Sequence, residues 1–126
     1  MTDEKRIRET IQTYFDCMYE SNTEKAHSAF HPHAKITGFV EGNLREIPVD
    51  DFANFIGSQQ PSSKEKGETL HFEILSIEIA GQTAVARVRD EFMGKTYIDT
   101  LSLIKEGVSW RIYNKLFHIE GPVPGR

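Results

Sequence analysis

Apolar residues recur along the first thirty positions at the spacing of a helix. On residues 3–20 they form one stripe, which comprises Ile7, Ile11, Tyr14, Phe15, Met18 and Tyr19. This pattern predicts an amphipathic helix with Thr2 as its N-cap. A shorter apolar pattern predicts a second helix from Glu24 to Phe30, and Pro32 is expected to stop it.

The pattern then changes to that of strands, with one further helix. A strand is predicted near Lys35–Val40, followed by the turn Glu41–Asn43 and a return strand at Leu44–Ile47. Pro48 is expected to open a third helix. The apolar positions of this helix are Val49, Phe52, Phe55 and Ile56. The polar stretch Gly57–Glu68 predicts a mobile loop.

Four further strands are predicted in the segment Thr69–Glu120. Their turns, "AGQT", "MGKT" and "KEGV", each carry glycine at a central position, as two-residue hairpin loops prefer. The order of elements predicts one α+β domain over residues 1–126, with three N-terminal helices packed on a curved, mostly antiparallel sheet. The tail, residues 121–126, is expected to be loose.

Two-residue loops fix which residues of the four strands face each other. Two rows of facing side chains are then apolar, and they predict the core: Ile77, Ala86, Leu103 and Trp110, and next Leu75, Val88, Leu101 and Ile112. The rows that follow are Glu73, Asp90, Asp99 and Asn114, and then His71, Phe92, Tyr97 and Leu116. A dry core that changes into a polar belt with an aromatic rim is typical of a cavity floor.

Asp99 is the leading candidate for an acid or base in that belt. It lies on a central strand beside apolar residues, an environment that raises the pKa of a carboxyl group. It is equally suited to a structural role, bound to Asn114 or to a cation. Three alternatives stay open for Glu73 and Asp90: they face the cavity as protonated or paired groups, a bulge turns one of them outward, or they form the solvated end of the sheet. Lys115 falls on the outer face, and only a bulge near Asn114 would bring it inward.

The outer face of the predicted sheet is half apolar. Its apolar members are Ile74, Ile98, Ile104, Tyr113 and Phe117, and its polar members are Arg87, Arg89, Thr100 and Ser102. An exposed face of this kind is typical of a partner surface, which predicts a homodimer packed through the sheets.

Composition removes several classes of function. The net charge is −4 without a basic stripe, so no nucleic-acid partner is expected. No stretch reaches the ~20 apolar residues of a membrane span, and the N-terminus lacks the apolar core of a signal peptide. No membrane partner is therefore expected, and cytoplasmic residence is. Cys17 is the only cysteine, which excludes an intramolecular disulfide, and its helical position favours a buried, inert thiol.

His31 and His33 raise the question of a metal site. In an extended chain both imidazoles point to one face, as many metal sites require. A third ligand would have to come from His71, His118, Asp90 or Asp99, and no metal-binding motif supports one. No metal or cofactor is expected. The alternative roles are a cationic His31 near the end of the second helix and a His33 that reaches the rim of the cavity.

Three motifs carry a resemblance to a known family. They are "F-H-P-x-A" at Phe30–Ala34, "Y-x-D-x-L-x-L" at Tyr97–Leu103 and "W-x-I-x-N-K" at Trp110–Lys115. With the order of elements, residues 5–119 resemble the nuclear transport factor 2-like superfamily, which has a cystatin-like α+β fold. More narrowly they resemble its putative lumazine-binding branch, related to SnoaL-like and ketosteroid-isomerase-like proteins. The resemblance implies a cone-shaped α+β barrel with a small-molecule pocket, usually in a dimer, and it does not fix an activity.

Three functions remain open from the sequence. The first is a pocket that binds a small, cyclic organic molecule without turnover. The second is a lyase or isomerase in which Asp99 or a histidine moves a proton. The third is a non-catalytic dimeric interaction domain whose cavity is closed by core side chains. The candidate ligand-binding residues are Tyr14, Phe15, His33, Phe55, Tyr97, Asp99, Trp110, Asn114 and Lys115.

Overall fold

The computed structural model describes residues 1–125 of the chain. Two helices come first, followed by a hairpin and a third helix: α1 (Asp3–Glu20), α2 (Thr23–Ala29), β1 (Phe30–Val40), β2 (Asn43–Pro48) and α3 (Val49–Ser58). Four long strands complete the fold: β3 (Phe72–Ala80), β4 (Thr83–Phe92), β5 (Lys95–Glu106) and β6 (Ser109–Pro122). No helix among these residues is long and apolar enough to cross a membrane.

The six strands form one curved sheet in the order β2-β1-β6-β5-β4-β3. Every neighbouring pair is antiparallel except β1 and β6, which are parallel. The three helices pack on the sheet, so the predicted α+β fold is confirmed. The sheet is open, with β2 and β3 as its edges, so the expected cone is a curved sheet and not a closed barrel.

The helices begin and end close to the predicted positions. The hydroxyl of Thr2 accepts a hydrogen bond from the Lys5 amide at 3.2 Å, as expected of an N-cap. The apolar stripe of α1 and the thiol of Cys17 are buried. Helix α2 ends at Ala29, one residue early, because Phe30 already pairs with β6. Pro32 therefore lies inside β1, within an irregular stretch of the β1–β6 pairing that does not use its missing amide hydrogen.

The segment predicted as a mobile loop is fastened to the end of α1. The amide of Lys64 donates to the Tyr19 carbonyl at 3.0 Å, and the Tyr19 hydroxyl donates to the Glu68 carbonyl at 2.9 Å. The Ser21 hydroxyl donates to the Gln59 carbonyl at 2.6 Å. These bonds hold both ends of the segment against the helix.

The first of the three hairpin turns has the predicted register, with Ala80 opposite Thr83. The other two are each displaced by two residues: Phe92 faces Lys95, and Glu106 faces Ser109. In the second loop both central residues, Met93 and Gly94, have positive φ (52° and 75°), the geometry that joins twisted strands in two residues. A shift of two residues changes the partners of a side chain but keeps it on the same face.

A bulge in β3 reverses the faces of its first half. Regular pairing with β4 breaks between Ile74 and Ser76, which leaves Leu75 as the extra residue. Leu75 is 39% exposed, so its placement in the core was wrong, and Ile74 packs against the core in its place. Glu73 is turned outward, where it forms an ion pair with Arg89 at 3.5 Å.

A second bulge in β6 reverses the faces near the site. Ser102 of β5 faces Asn114 while Leu103 faces Ile112, so Tyr113 is the extra residue. Asn114 therefore lies on the exposed outer face, and Lys115 faces Leu101 on the covered face. Phe117 is also carried to the covered side, where it packs against the core, so its prediction as an outer-face residue was wrong.

The end of the described chain is more ordered than expected. Strand β6 includes Gly121 and runs to Pro122. Val123 is 4% exposed, and its amide donates to the Gly94 carbonyl at 2.9 Å. The expectation of a loose tail is therefore wrong for residues 121–123, and Arg126 lies outside the described residues.

Candidate functional site

A cavity of about 180 Å³ lies between the helices and the concave face of the sheet. Its walls are mostly apolar and include Met18, Ile36, Phe52, Phe92, Phe117 and Ile119. Asp90, Lys115 and Tyr97 supply polar groups, and exposed Phe55 and Lys95 mark its opening. A few polar groups that converge in an apolar concavity are typical of a small-molecule site.

Lys115 is the buried amine of this cavity. The bulge at Tyr113 turns its side chain inward, where it is only 8% exposed. Its Nζ lies 4.6 Å from the ring centroid of Phe52 and 4.9 Å from that of Tyr14. Aromatic ring faces attract a cation, and they leave the rest of the ammonium group free for a ligand.

Asp99 lies beneath Lys115 and does not line the cavity. It is fully buried, and its Oδ2 is 4.0 Å from the Lys115 Nζ. The same oxygen accepts a hydrogen bond of 2.5 Å from the Tyr14 hydroxyl. Burial, followed by the charges of Asp90 and Asp99, raises the pKa of the Tyr14 phenol well above its usual value, so Tyr14 keeps the proton it donates.

Asp90 is the carboxyl group that lines the cavity. It is 1% exposed and is a diagonal neighbour of Asp99 on the covered face of β4 and β5. Burial and then the Asp99 charge raise the pKa of Asp90 well above its usual value, against a smaller lowering by Lys115. Two adjacent carboxyl groups in a dry site do not both ionise readily, so Asp90 keeps its proton to a higher pH than an ordinary aspartate does.

The structure brings together six of the nine residues predicted for the ligand site. Phe55, Tyr97 and Lys115 line the cavity, and Tyr14 and Asp99 lie directly behind Lys115. Phe15 is one layer further back, in the core, where its ring stacks on Phe72 at 4.9 Å. Burial also raises the pKa of Tyr97, with smaller effects from Asp90 and Asp99.

The other three predicted residues lie away from the cavity. Asn114 is on the outer face because of the bulge at Tyr113. Trp110 is at the far end of β6, where its indole nitrogen donates to the Asp3 carboxylate at 3.1 Å. His33 is exposed, and its amide donates to Nδ1 of His31 at 3.1 Å. The sequence alone did not reveal these positions, because each depends on where regular pairing breaks or ends.

Several cavity residues were missed or left undecided. Asp90 was undecided because a bulge could have turned it outward, and the bulge lies in β3 instead. Ile36 and Phe92 carried a signal, since one lies in a predicted strand and the other in the predicted aromatic rim. Ile119 had none, because its place depends on how far β6 extends beside β5.

The two histidines of the first strand are engaged with their neighbours. The Nε2 of His31 lies 3.2 Å from the Glu106 carboxylate, and its Nδ1 accepts the His33 amide. The ring of His31 also packs against Tyr113 at 5.0 Å. Within residues 1–125, no three His, Cys, Asp or Glu side chains are arranged to hold a metal ion.

A curved sheet covered by three helices, with a cavity between the layers, defines the nuclear transport factor 2-like (NTF2-like) class with its cystatin-like fold. The chain belongs to the family described as "Putative lumazine-binding", whose model matches residues 2–118. This confirms the resemblance that the three sequence motifs carry.

Solved structures and a sequence named as an aldolase are similar to this chain. An NTF2-like protein of unknown function from Silicibacter pomeroyi has a TM-score of 0.83 and 24% identity, covering 95% of this chain and all of that one (100%). Another, from Methylobacillus flagellatus, has a TM-score of 0.82 and 29% identity, covering 94% and 93%. The sequence named Aldolase FrzH, from a Cladobotryum species, is 24% identical over 111 residues, which are 86% of this chain and 85% of that protein.

Proposed function

We propose that the protein binds a compact, uncharged organic molecule that carries a carbonyl group. The observation that carries this proposal is the convergence of apolar cavity walls on two buried polar groups, Asp90 and Lys115. The amine of Lys115 donates hydrogen bonds, as does Asp90 when protonated. A carbonyl oxygen accepts such bonds, and the rest of the ligand packs against the aromatic walls.

The size of the cavity supports a small ligand. Its volume of about 180 Å³ lies below the ~300–1,000 Å³ of pockets that hold drug-sized molecules. The rings of Phe52, Phe92 and Phe117 suit a flat or cyclic molecule. An existing cavity does not support the alternative of an interaction domain filled by core side chains.

The charges of the site support an uncharged ligand. The Lys115 ammonium and the Asp99 carboxylate offset each other at 4.0 Å. A ligand anion would be repelled by the Asp99 carboxylate, and it would make Asp90 harder to ionise. A ligand cation would be repelled by the Lys115 ammonium. The family description names lumazine, a flat and uncharged ring system with carbonyl groups. Lumazine therefore meets both requirements of the proposal, the absence of charge and the presence of a carbonyl group.

A binding assay with matched probes tests the proposal. Lumazine, cyclohexanone, cyclohexanecarboxylate and cyclohexylamine are compared by ligand-observed NMR and by titration calorimetry. Lumazine or the ketone is expected to bind, and the two charged probes are expected to bind at least tenfold more weakly. Lys115→Met should weaken the binding of lumazine and the ketone and abolish their preference over cyclohexylamine, while Lys95→Met, at the opening of the cavity, should keep both. Equal affinity for all four probes, or binding unaffected by Lys115→Met, would contradict the proposal.

A second candidate function is proton transfer by an enzyme of the lyase or isomerase type. Asp90 and Asp99 are adjacent carboxyl groups in different environments, which is how acid and base roles become separated. The relative named an aldolase adds support, because aldol chemistry moves a proton next to a carbonyl group. We assign the moving proton to Asp90 in place of the expected Asp99, because Asp90 is the one that lines the cavity.

Isotope exchange distinguishes an enzyme from a binding protein. Cyclohexanone is incubated with the protein in D₂O, and loss of the signals of the protons next to the carbonyl is followed by NMR. Enzymatic proton transfer should accelerate this exchange, and Asp90→Asn should remove the acceleration while binding is retained. Binding without acceleration would leave the protein as a binder.

We propose that the outer face of the sheet forms a homodimer. This face exposes Leu75, Val85 and Leu116, with Leu116 at 55% on a central strand. Leu116→Lys should convert the dimer into a monomer in light scattering after gel filtration. Val108→Lys, at a residue of similar exposure (63%) in the turn between β5 and β6, should leave the dimer intact. A monomeric wild-type protein would contradict this part of the proposal.

A further inference from the structure

Lys115 differs from the other polar groups of the cavity in the contacts of its amine. Its contacts within residues 1–125 are ring faces and one carboxylate oxygen at 4.0 Å, beyond direct hydrogen-bonding distance. The amine therefore borders the cavity without being bonded to a wall. A ligand that packs on the Phe52 ring would therefore place a carbon atom next to the Lys115 Nζ.

The residue type at this position is not explained by packing. An apolar side chain would fill the same space between Tyr14 and Phe52 without a buried charge, and such replacements are often neutral or stabilising. The strand instead departs from regular pairing at Tyr113, which turns an amine inward. A chemical role for the amine accounts for both features.

We propose that Lys115 forms an imine with an aldehyde or ketone bound in the cavity. This inference rests on the proposed function, because it needs a carbonyl compound in the same cavity. It goes further in that it requires a covalent bond to the Nζ of Lys115 and selects aldehydes and ketones over amides, esters and ring lactams.

The neighbouring carboxyl groups supply and remove the protons. Asp99 takes a proton from the Lys115 ammonium, and the neutral nitrogen attacks the carbonyl carbon. As the C–N bond forms, the carbonyl electron pair moves to oxygen, which takes the proton of Asp90. The nitrogen returns a proton to Asp90, giving a neutral carbinolamine.

Loss of water completes the step. The hydroxyl group leaves with the proton held by Asp90, the C–O bond breaks, and the nitrogen lone pair forms the C=N bond. Asp99 then passes its proton to the adjacent Asp90 carboxylate. Overall, one ammonium and one carbonyl give a protonated imine and one water molecule. Asp90 ends protonated and Asp99 ionised, as at the start, so the protonated imine faces the carboxylate that faced the ammonium. No oxidant or reductant is needed.

Reductive trapping tests the imine. The protein is incubated with cyclohexanone or benzaldehyde and sodium cyanoborohydride, which adds hydride to a C=N bond and leaves a stable secondary amine. Intact mass and peptide mapping then count the adducts and locate them. The expected result is one adduct per chain on Lys115, formed at least tenfold faster than on any exposed lysine. This readout uses the wild-type protein and does not depend on the folding of a variant.

Three variants sharpen the test. Lys115→Met removes the amine and Lys115→Arg keeps only the charge, so both should lose the selective adduct. Lys35→Met removes an exposed lysine of β1 that lies outside the cavity and should keep it. Asp90→Asn should slow trapping at Lys115, because the carbonyl oxygen loses its proton donor.

The outcomes separate this inference from the proposed function. Adducts spread evenly over surface lysines, while lumazine or cyclohexanone still binds in the NMR assay, would overturn the imine and leave the binding proposal standing. Absence of both binding and selective trapping would overturn both. A selective adduct at Lys95 with none at Lys115 would also overturn the imine as proposed.

Discussion

The Nζ of Lys115 and the Oδ2 of Asp99 lie 4.0 Å apart, and both side chains are shielded from solvent, with exposures of 8% and 0%. Asp90 stands beside them as a second carboxyl group, so the cluster holds one positive charge and two acids. Only one of the two acids is needed to balance the Lys115 ammonium. Replacement of Asp99 and replacement of Asp90 by asparagine should therefore change the stability of the protein in opposite directions.

Asp99→Asn should lower the free energy of unfolding, and Asp90→Asn should raise it. The first leaves the Lys115 ammonium without its partner, a loss of at most about 3–5 kcal/mol, which the ionisation of Asp90 in compensation reduces. The second removes an acid that is costly to ionise, a gain on the order of 1 kcal/mol at neutral pH. Urea denaturation of both variants measures these changes. Equal destabilisation by the two variants would contradict the assigned roles.

The double variant should reverse the sign of the Asp90 substitution. With asparagine at position 99, Asp90 is the remaining carboxylate for Lys115, so adding Asp90→Asn should destabilise the protein further. A double-mutant cycle from the same denaturation curves gives the coupling. If the two effects simply add, the carboxyl groups do not share one charge and this account of the cluster fails.

Stability should decline with pH as Asp90 ionises. Its folded pKa is raised above the ordinary value of 3.8, so the folded state holds this proton more tightly than the unfolded state. The stabilisation that protonated Asp90 contributes is fully present below about pH 3.8, and it is lost as the pH rises through the folded pKa. The stability difference between Asp90→Asn and wild type should therefore be small near pH 3.8 and grow with pH. A difference independent of pH would argue against a raised pKa.

Much of the fold could be predicted from the sequence because strands tolerate errors of two residues. Two turns were displaced by that amount, yet Val88, Leu101 and Leu103 remained on the predicted covered face. The alternation of side chains has a period of two, so such a shift changes partners and not faces. The helices were predicted correctly because α1 and α3 carry a full apolar stripe.

The site was harder to predict because it depends on single-residue irregularities. The bulge at Tyr113 exchanges Asn114 and Lys115 between the faces, and the bulge at Leu75 removes Glu73 from the belt. No local residue pattern marks either position, since a bulge forms where the curvature of the whole sheet requires it. The sequence therefore predicted an acidic cavity floor, and it predicted the buried amine of Lys115 only on the condition of a bulge near Asn114, which the structure has at Tyr113.

Tyr14→Phe should be more destabilising than the loss of a neutral hydrogen bond. The Tyr14 hydroxyl donates to a buried carboxylate, and bonds to charged groups are worth about 1.5–3 kcal/mol. Tyr19→Phe is the matched control, because the Tyr19 hydroxyl donates to a half-buried backbone carbonyl and should cost about 0.5–1.5 kcal/mol. Thermal and urea unfolding of both variants give the comparison. A smaller loss for Tyr14→Phe would mean that Lys115 alone satisfies Asp99.

Gly38→Ala should displace Phe117, one of the residues that line the cavity. Gly38 lies opposite Phe117 in the β1–β6 pair, and an added Cβ would stand 2.6 Å from both the Phe117 ring and the Phe117 carbonyl oxygen. Because the carbonyl belongs to the backbone, β1 and β6 must separate or the ring must move. Such overpacking costs about 1–3 kcal/mol, and a displaced Phe117 ring would change the volume available to a ligand.

Phe39→Ala is the control for the Gly38 variant. Phe39 is the next residue of the same strand and is 62% exposed, so its truncation should change stability by no more than about 0.5 kcal/mol. Denaturation measures stability, and titration with lumazine or cyclohexanone measures binding. Gly38→Ala should weaken both, whereas Phe39→Ala should change neither. Normal binding in a destabilised Gly38→Ala protein would show that the ligand does not contact Phe117.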